Sequence, residues 1–306
     1  MLLAMKRVLV TGATGFIGRH ALAPLLERGF EVHACYSKAP IDADERVIWH
    51  KADLLIADAA EKLCAEIKPT HLLHFAWYVS PEDYKTSSKN ELWKNATIGL
   101  IRAFGENGGK RAVAAGTCME YDWSAHKKLK EDAPLSNETI YGKAKNETRA
   151  LCERLACKSD ISFAWGRVFN LYGPYETPRR LVPEVIRSLR AGKKPHIAQG
   201  VTLDYSYVKD ISDAFAALLD SDVKGAVNVA SGNALLLTEM ARAIAEIMGK
   251  TDSIDAKESS SPADQEQYVV ADTTRLTKEV GWHPHYSLRQ GLEETIFWWQ
   301  KSGFPE

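Results

Sequence analysis

Tyr141 and Lys145 stand four residues apart in the stretch "YGKAK", so a helix running through them sets a phenol and an ammonium on one face. An ammonium near a phenol favours the phenolate and draws a pKa of about 10 toward neutrality, which suits proton exchange with a hydroxyl or a carbonyl. Upstream, the apolar run "RAVAAGT" ends at Thr117, whose hydroxyl could hydrogen-bond the same oxygen. A Y-x-x-x-K pair alone is a common coincidence in a chain with 11 tyrosines. Its weight comes from what precedes it.

Near the N-terminus, "VTGATGFIG" sets Gly12, Gly15 and Gly18 three residues apart, after the apolar run Arg7-Val8-Leu9-Val10 and before a predicted helix from about Phe16 to Arg28. Glycine permits tight turns and close approach of a ligand, and free amides at a helix start bind pyrophosphate. Gly12, Thr14, Gly15, Phe16, Ile17 and Gly18 are therefore candidate cofactor contacts. Pro24 falls inside the predicted helix and should kink or shorten it. The next strand, "FEVHACYSK", carries no acid at its end to bind a ribose 2′-hydroxyl; Tyr36, Ser37 and Lys38 stand there instead. A hydroxyl with an ammonium suits a 2′-phosphate, which favours NADP(H) and leaves NAD(H) possible. Asp53, before Leu54, is either an acceptor for the adenine amino group or a plain residue at a strand end.

Short apolar runs at Val8 to Val10, Val32 to Cys35, Val47 to Trp49, His71 to Ala76, Ala112 to Ala115 and Phe163 to Val168 alternate with amphipathic segments. This predicts an α/β chain, a Rossmann-type doubly wound parallel sheet. After Leu171-Tyr172-Gly173-Pro174 the alternation breaks, so residues 1–170 read as a dinucleotide-binding domain. Residues 171–306 read as a mainly substrate-binding, smaller α/β region, with some segments returning to the first. The terminal "LEETIFWWQK" has helical spacing that assigns Trp298 and Trp299 to packing. The 306 residues are 45% apolar with a net charge of −1, which leaves no basic face for nucleic acid and no cationic stripe for a membrane. Five cysteines without C-x-x-C spacing and nine histidines without H-x-x-x-H spacing argue against a disulfide framework and a metal site. No leader or membrane span is apparent, so a cytoplasmic, reducing location is expected.

Together these motifs resemble the extended short-chain dehydrogenase/reductase family, which includes nucleotide-sugar epimerases, dehydratases and ketoreductases. The resemblance covers nearly the whole chain: "TGATGFIG", "AD" at Asp53, "HFAW" from His74, "NATIG" from Asn95, Thr117 four residues before Tyr121, "YGKAK", "GRVFNLYGP", "DYSYVKD" and "ADTTRLTKEVGWHP". It implies that Thr117, Tyr141 and Lys145 are catalytic, with Phe75, Ala76 and Asn95 near the cofactor. It further implies that Asn170 contacts substrate, and that a homodimer forms through helices around 90–108 and 139–157. Trp77, Cys118, Met119, Arg179 and Arg180 are the remaining candidates for the substrate side.

Departures from the family pattern narrow the reaction. Dehydratases carry Asp and Glu directly after the catalytic threonine, whereas Cys118 and Met119 here cannot do that acid/base work. Glu120 is one position along, on the opposite face if the strand continues. The family's diphosphate-binding arginines are replaced by Leu203 and Ser261, and Arg179, Arg180, Lys193 or Lys194 would have to compensate. The leading expectation is an NAD(P)-dependent reductase acting on a keto group of a nucleotide-linked deoxysugar, with Tyr141 as proton donor. The alternatives are a 4-epimerase with tightly bound NAD, a reductase of a nucleotide-free substrate, or a nucleotide sensor without catalysis, against which the presence of both Tyr141 and Lys145 speaks.

Overall fold

A computed structural model describes residues 6–39, 44–124, 127–254 and 267–302. Among these, seven parallel strands form the principal sheet: β1 (Arg7–Thr11), β2 (Glu31–Tyr36), β3 (Ile48–Lys51), β4 (His71–His74), β5 (Arg111–Thr117), β6 (Ser162–Val168) and β9 (Gly225–Val229), in the order β3-β2-β1-β4-β5-β6-β9. The period of two in the strand sequences sorts side chains between two helical layers. Val8 and Val10 face α1 (Gly18–Glu27) and α6 (Val208–Leu219), while Leu9 between them faces α2 (Ala59–Ile67), α3 (Lys89–Glu106) and α4 (Ile140–Lys158).

The helix after the glycine loop starts at Gly18, two residues later than the sequence predicts, and runs unbroken past Pro24 to Glu27. Proline removes one helical amide, a loss offset by burial of Ala21, Leu22 and Leu25 on the same helix. The fourth strand ends at His74, so Phe75 and Ala76 belong to the turn beyond it.

The second lobe is built on β8 (Val201–Tyr207), which pairs with β7 (Asn170–Tyr172), β10 (Ala234–Leu236) and β11 (Gln267–Val269). Its core lies among α5 (Leu181–Arg190), α7 (Leu237–Ile247) and α9 (Leu288–Ser302), with Trp299 buried in it and Trp298 partly buried at its side. The chain leaves this lobe at Tyr207, runs through α6 and β9 in the first layer system, then returns to β10. None of the described helices is long and apolar enough to cross a membrane.

Candidate active site

All seven strands of the principal sheet point the same way, so Thr11, Tyr36, His74 and Thr117 end at one edge. Strand order reverses direction between β1 and β4, and a crevice opens at such a switch point. The glycine loop sits there. Gly12 has φ +68°, and a Cβ on it would lie 2.7 Å from the Ala76 nitrogen; one on Gly18 would lie 2.2 Å from the Gly12 oxygen. These two glycines are thus required by the packing of the loop on itself and on Phe75–Ala76. Gly15 is the exposed one, where a ligand is able to approach the backbone.

Neither a capping side chain nor an acid occupies the first turn of α1, which suits an anion at that helix start. Thr14, Phe16 and Ile17 are half-buried, and Phe75 packs edge-on against Phe215 with ring centres 4.9 Å apart. Ser37 and Lys38 are exposed just past β2. Asp53 is exposed and accepts the Leu55 amide at 3.0 Å, while Leu54 is buried in the core. This edge fits a dinucleotide, which the glycine loop, the α1 terminus and the ends of β2 and β3 would hold.

Thr117, Tyr141 and Lys145 come together at the end of β5. Thr117 lies beside the Tyr141 phenol, where its hydroxyl favours the ionised form, and Lys145 Nζ donates to the Ala115 carbonyl at 2.8 Å. Sequence spacing suggests that Lys145 draws the phenol's pKa down, and the structure differs. Burial pushes the Tyr141 phenol above its ordinary value, with the Thr117 hydroxyl opposing. Lys145 Nζ lies 3.7 Å from the centre of the Trp77 ring and 5.9 Å from that of Tyr141. Burial lowers Lys145 itself to about 7, with Glu120 pulling it up.

Trp77 is a buried wall rather than an open pocket lining: its indole N–H donates to Asn90 Oδ1 at 2.8 Å. Cys118 is buried in a cluster with Tyr121 and Phe169, and burial pushes its thiol up to about 12. Met119 lies against Tyr84, whose hydroxyl is 3.7 Å from the sulfur, and Tyr84 stands edge-on to Tyr141 with centroids 5.1 Å apart. Arg180 is exposed and lies 5.4 Å from the Tyr84 ring centre. Arg179 is exposed and paired with Glu82 at 3.0 Å. Asn170 leans toward β8, its amide 3.4 Å from the Asp204 carbonyl. Leu203 is half-buried against the Cys118 cluster, and Ser261 lies outside the described residues.

Asn95 is on the exposed face of α3. The buried face carries Thr97, which completes a relay that no local sequence spacing announces. Thr97 donates to the Trp93 carbonyl at 2.8 Å, so it accepts from His74 Nε2 at 2.9 Å, and Nδ1 accepts from Thr11 at 2.6 Å. Burial and the nearby Lys145 charge lower His74 to about 3, so the ring is neutral.

Glu120 also departs from the expectation. The strand does not continue past Thr117: a short turn, Cys118–Glu120, folds the carboxylate back into the interior. Its Oε1 accepts from the Thr117 amide and the Trp165 indole, both at 2.8 Å, and Oε2 accepts from Arg167 Nε at 2.7 Å. Gly116 makes room, since a Cβ there would lie 2.1 Å from the Trp165 nitrogen. The "G-T-x-x-E" spacing with a capping acid was the available signal.

A doubly wound sheet with a glycine loop at its switch point and a Thr/Tyr/Lys group beside it defines a nicotinamide-dinucleotide enzyme of the extended short-chain dehydrogenase/reductase class. The chain belongs to the NAD dependent epimerase/dehydratase family, whose model matches residues 8–230. It is 26% identical to UDP-glucose 4-epimerase 2 of Arabidopsis thaliana, over 94% of this chain and 92% of the relative. It is 25% identical to UDP-glucuronic acid decarboxylase 1 of Xenopus tropicalis, over 97% and 72%. Among solved structures, the UDP-N-acetylglucosamine 4-epimerase of Methanobrevibacter ruminantium has a TM-score of 0.85 at 22% identity, covering 98% of this chain and 100% of the other. The Thermus thermophilus UDP-glucose 4-epimerase in complex with NAD has a TM-score of 0.81 at 24% identity, covering 97% and 100%.

Proposed function

We propose that the protein catalyses reversible oxidation and reduction at a carbon of a nucleotide-linked sugar. The observation that carries this reading is the convergence of Thr117, Tyr141 and Lys145 beside the glycine loop. When bound, the nicotinamide supplies hydride acceptance and donation. Tyr141 exchanges the proton with the substrate oxygen, Thr117 hydrogen-bonds the same oxygen, and the Lys145 ammonium stabilises the phenolate as it forms. Burial of the phenol disfavours free ionisation, so the proton moves only when a substrate oxygen receives or gives it.

Epimerisation on a retained NAD is one form of this chemistry, supported by the likeness to UDP-glucose 4-epimerase 2 and to the fold of solved 4-epimerases. Net ketoreduction with NADPH is the second form, favoured by Ser37 and Lys38 in place of an acid at the end of β2. Dehydration is disfavoured because buried Cys118 and the thioether of Met119 replace the acid/base pair. A nucleotide-linked substrate is supported by Arg180 against Tyr84, the ring that packs on Tyr141; Leu203 offers no charge to a diphosphate. The reading includes a homodimer through α3 and α4, to be tested by light scattering, and a cytoplasmic location.

The test is turnover of UDP-glucose and of nucleoside-diphosphate 4-keto-6-deoxyhexoses by wild type and Tyr141→Phe, with nicotinamide absorbance followed and bound cofactor identified after denaturation. Product epimer with NAD retained supports the first form; consumption of NADPH over NADH supports the second. Undiminished turnover by Tyr141→Phe overturns both.

A further inference from the structure

Glu120 has no role in the chemistry described above, yet it touches the site from beneath. Its carboxylate accepts the Thr117 amide at 2.8 Å, so the turn that aims the Thr117 hydroxyl hangs on it. It also accepts the Trp165 indole N–H at 2.8 Å, and the same indole ring lies 5.5 Å from Lys145 Nζ. Arg167 Nε binds the other carboxylate oxygen at 2.7 Å, with Arg167 held in turn by the Tyr121 hydroxyl at 2.7 Å and the Glu131 carbonyl at 2.9 Å. Both members of the ion pair are buried, at 0% and 1% side-chain exposure.

The groups that act on Lys145 come from several elements. From α4 there are the Tyr141 phenol and the Cys152 thiol, both held neutral by burial. From β4 there is His74, also neutral. Trp77 and Trp165 offer ring faces. Glu120 is the carboxylate among these groups, and Arg167 pairs with it from behind at 2.7 Å.

We propose that Glu120 is a positioning residue for the catalytic group: its carboxylate fixes the Thr117 turn and keeps the buried Lys145 ammonium charged, with Arg167 setting how much of that negative charge Lys145 feels. The assignment rests on the reading of Thr117, Tyr141 and Lys145 as the reacting group. It has a signature that ordinary structural support lacks, because removing either partner leaves one buried ion unpaired while the effects on Lys145 run in opposite directions.

The experiment is a pH titration of full-length protein labelled with ε-13C-lysine, followed by NMR, with Lys145→Arg assigning the resonance. Glu120→Gln is expected to move the Lys145 titration to lower pH by at least about half a unit, and Arg167→Gln to move it to higher pH. Where Glu120→Gln does not fold, Glu120→Gln/Arg167→Met removes both charges together and is expected to move the titration in the same direction as Glu120→Gln. An unmoved titration in folded Glu120→Gln or in the double variant, or equal-sign shifts in the two single variants, overturns the proposal. The resonance is read without turnover, so a Tyr141→Phe protein that still reacts sinks the functional reading and leaves this linkage standing. An unmoved Lys145 in a series where Tyr141→Phe is dead sinks the linkage alone.

Discussion

The ammonium of Lys145 rests 3.7 Å from the centre of the Trp77 ring while it donates to the Ala115 carbonyl at 2.8 Å, and these two contacts fix where the charge sits. A cation over an indole face in a desolvated site gains about 2 kcal/mol, which partly offsets the burial that lowers Lys145 to about 7. The indole is itself fixed by its bond to Asn90, whose amide donates to the Tyr84 and Ser87 carbonyls at 2.7 and 2.9 Å.

Two substitutions at this position separate the ring from its hydrogen bond. Trp77→Phe keeps a ring over Lys145 and leaves Asn90 Oδ1 without its donor, so unfolding free energy should fall by about 1–3 kcal/mol with turnover close to wild type. Trp77→Leu removes the ring as well, and kcat should fall roughly tenfold or more, the equivalent of about 1.4 kcal/mol. Chemical denaturation and initial rates on the same preparations check both; equal kcat in the two variants would count against the ring's role.

Gly18→Ala should be among the most damaging single changes in the first domain. The added Cβ would lie 2.2 Å from the Gly12 oxygen and 3.0 Å from the Ala13 Cα, all backbone, so nothing nearby can rotate away. A loss of several kcal/mol or of dinucleotide binding is expected, measured by urea unfolding and cofactor fluorescence titration. Gly99→Ala is the matched control. It lies inside α3 with nothing within 4 Å of a new Cβ, so it should stabilise the protein by about 0.5–1 kcal/mol.

These cases also mark what the sequence made legible. The glycine spacing, the period-two strands and "YGKAK" announced the sheet edge and the residues that meet there, because each is a local pattern with a fixed geometric result. The motif match at Asn95 did not announce Thr97, because helix α3 turns Asn95 outward and gives the inward position to Thr97; a motif match does not state the helix phase. The reach of Lys145 onto Trp77 joins residues 68 positions apart, and Glu120 turns inward only because Arg167 and Trp165, on the next strand, are there to receive it. Such long-range pairings leave no local trace.

His74 carries a pH dependence with a definite sign. Its folded pKa, about 3, lies below the ordinary histidine value of about 6.5. Folding therefore favours the neutral ring: the contribution is complete above about pH 6.5 and is lost as pH falls toward the folded value. The slope is about 1.4 kcal/mol per pH unit for one proton. Replacing His74 by Gln should remove that slope between pH 6 and 4, roughly the window in which His20 and His71, each lowered to about 4, continue to contribute. Urea unfolding at stepped pH gives the comparison, and identical slopes in the two proteins would contradict the assignment.

Glu176 should show the reverse dependence. It follows the Gly173-Pro174 segment, is 6% exposed, and its Oε2 has no hydrogen-bond partner. Burial raises its carboxyl well above the ordinary value, against the pull of Arg180 and a hydrogen bond from the Gly173 backbone. A raised acid favours the folded state only while protonated, so its contribution is present at low pH and is lost as pH rises from about 4.5 toward the folded value. Gln at this position is neutral at every pH and keeps an oxygen for the Gly173 amide. Glu176→Gln should thus match wild type near pH 4 and be the more stable protein at pH 8, with the gap opening above about pH 4.5 and levelling off once the folded carboxyl ionises. A gap that stays constant across that range would mean that the carboxylate is ionised in the folded state. The Arg180 charge would then outweigh the burial.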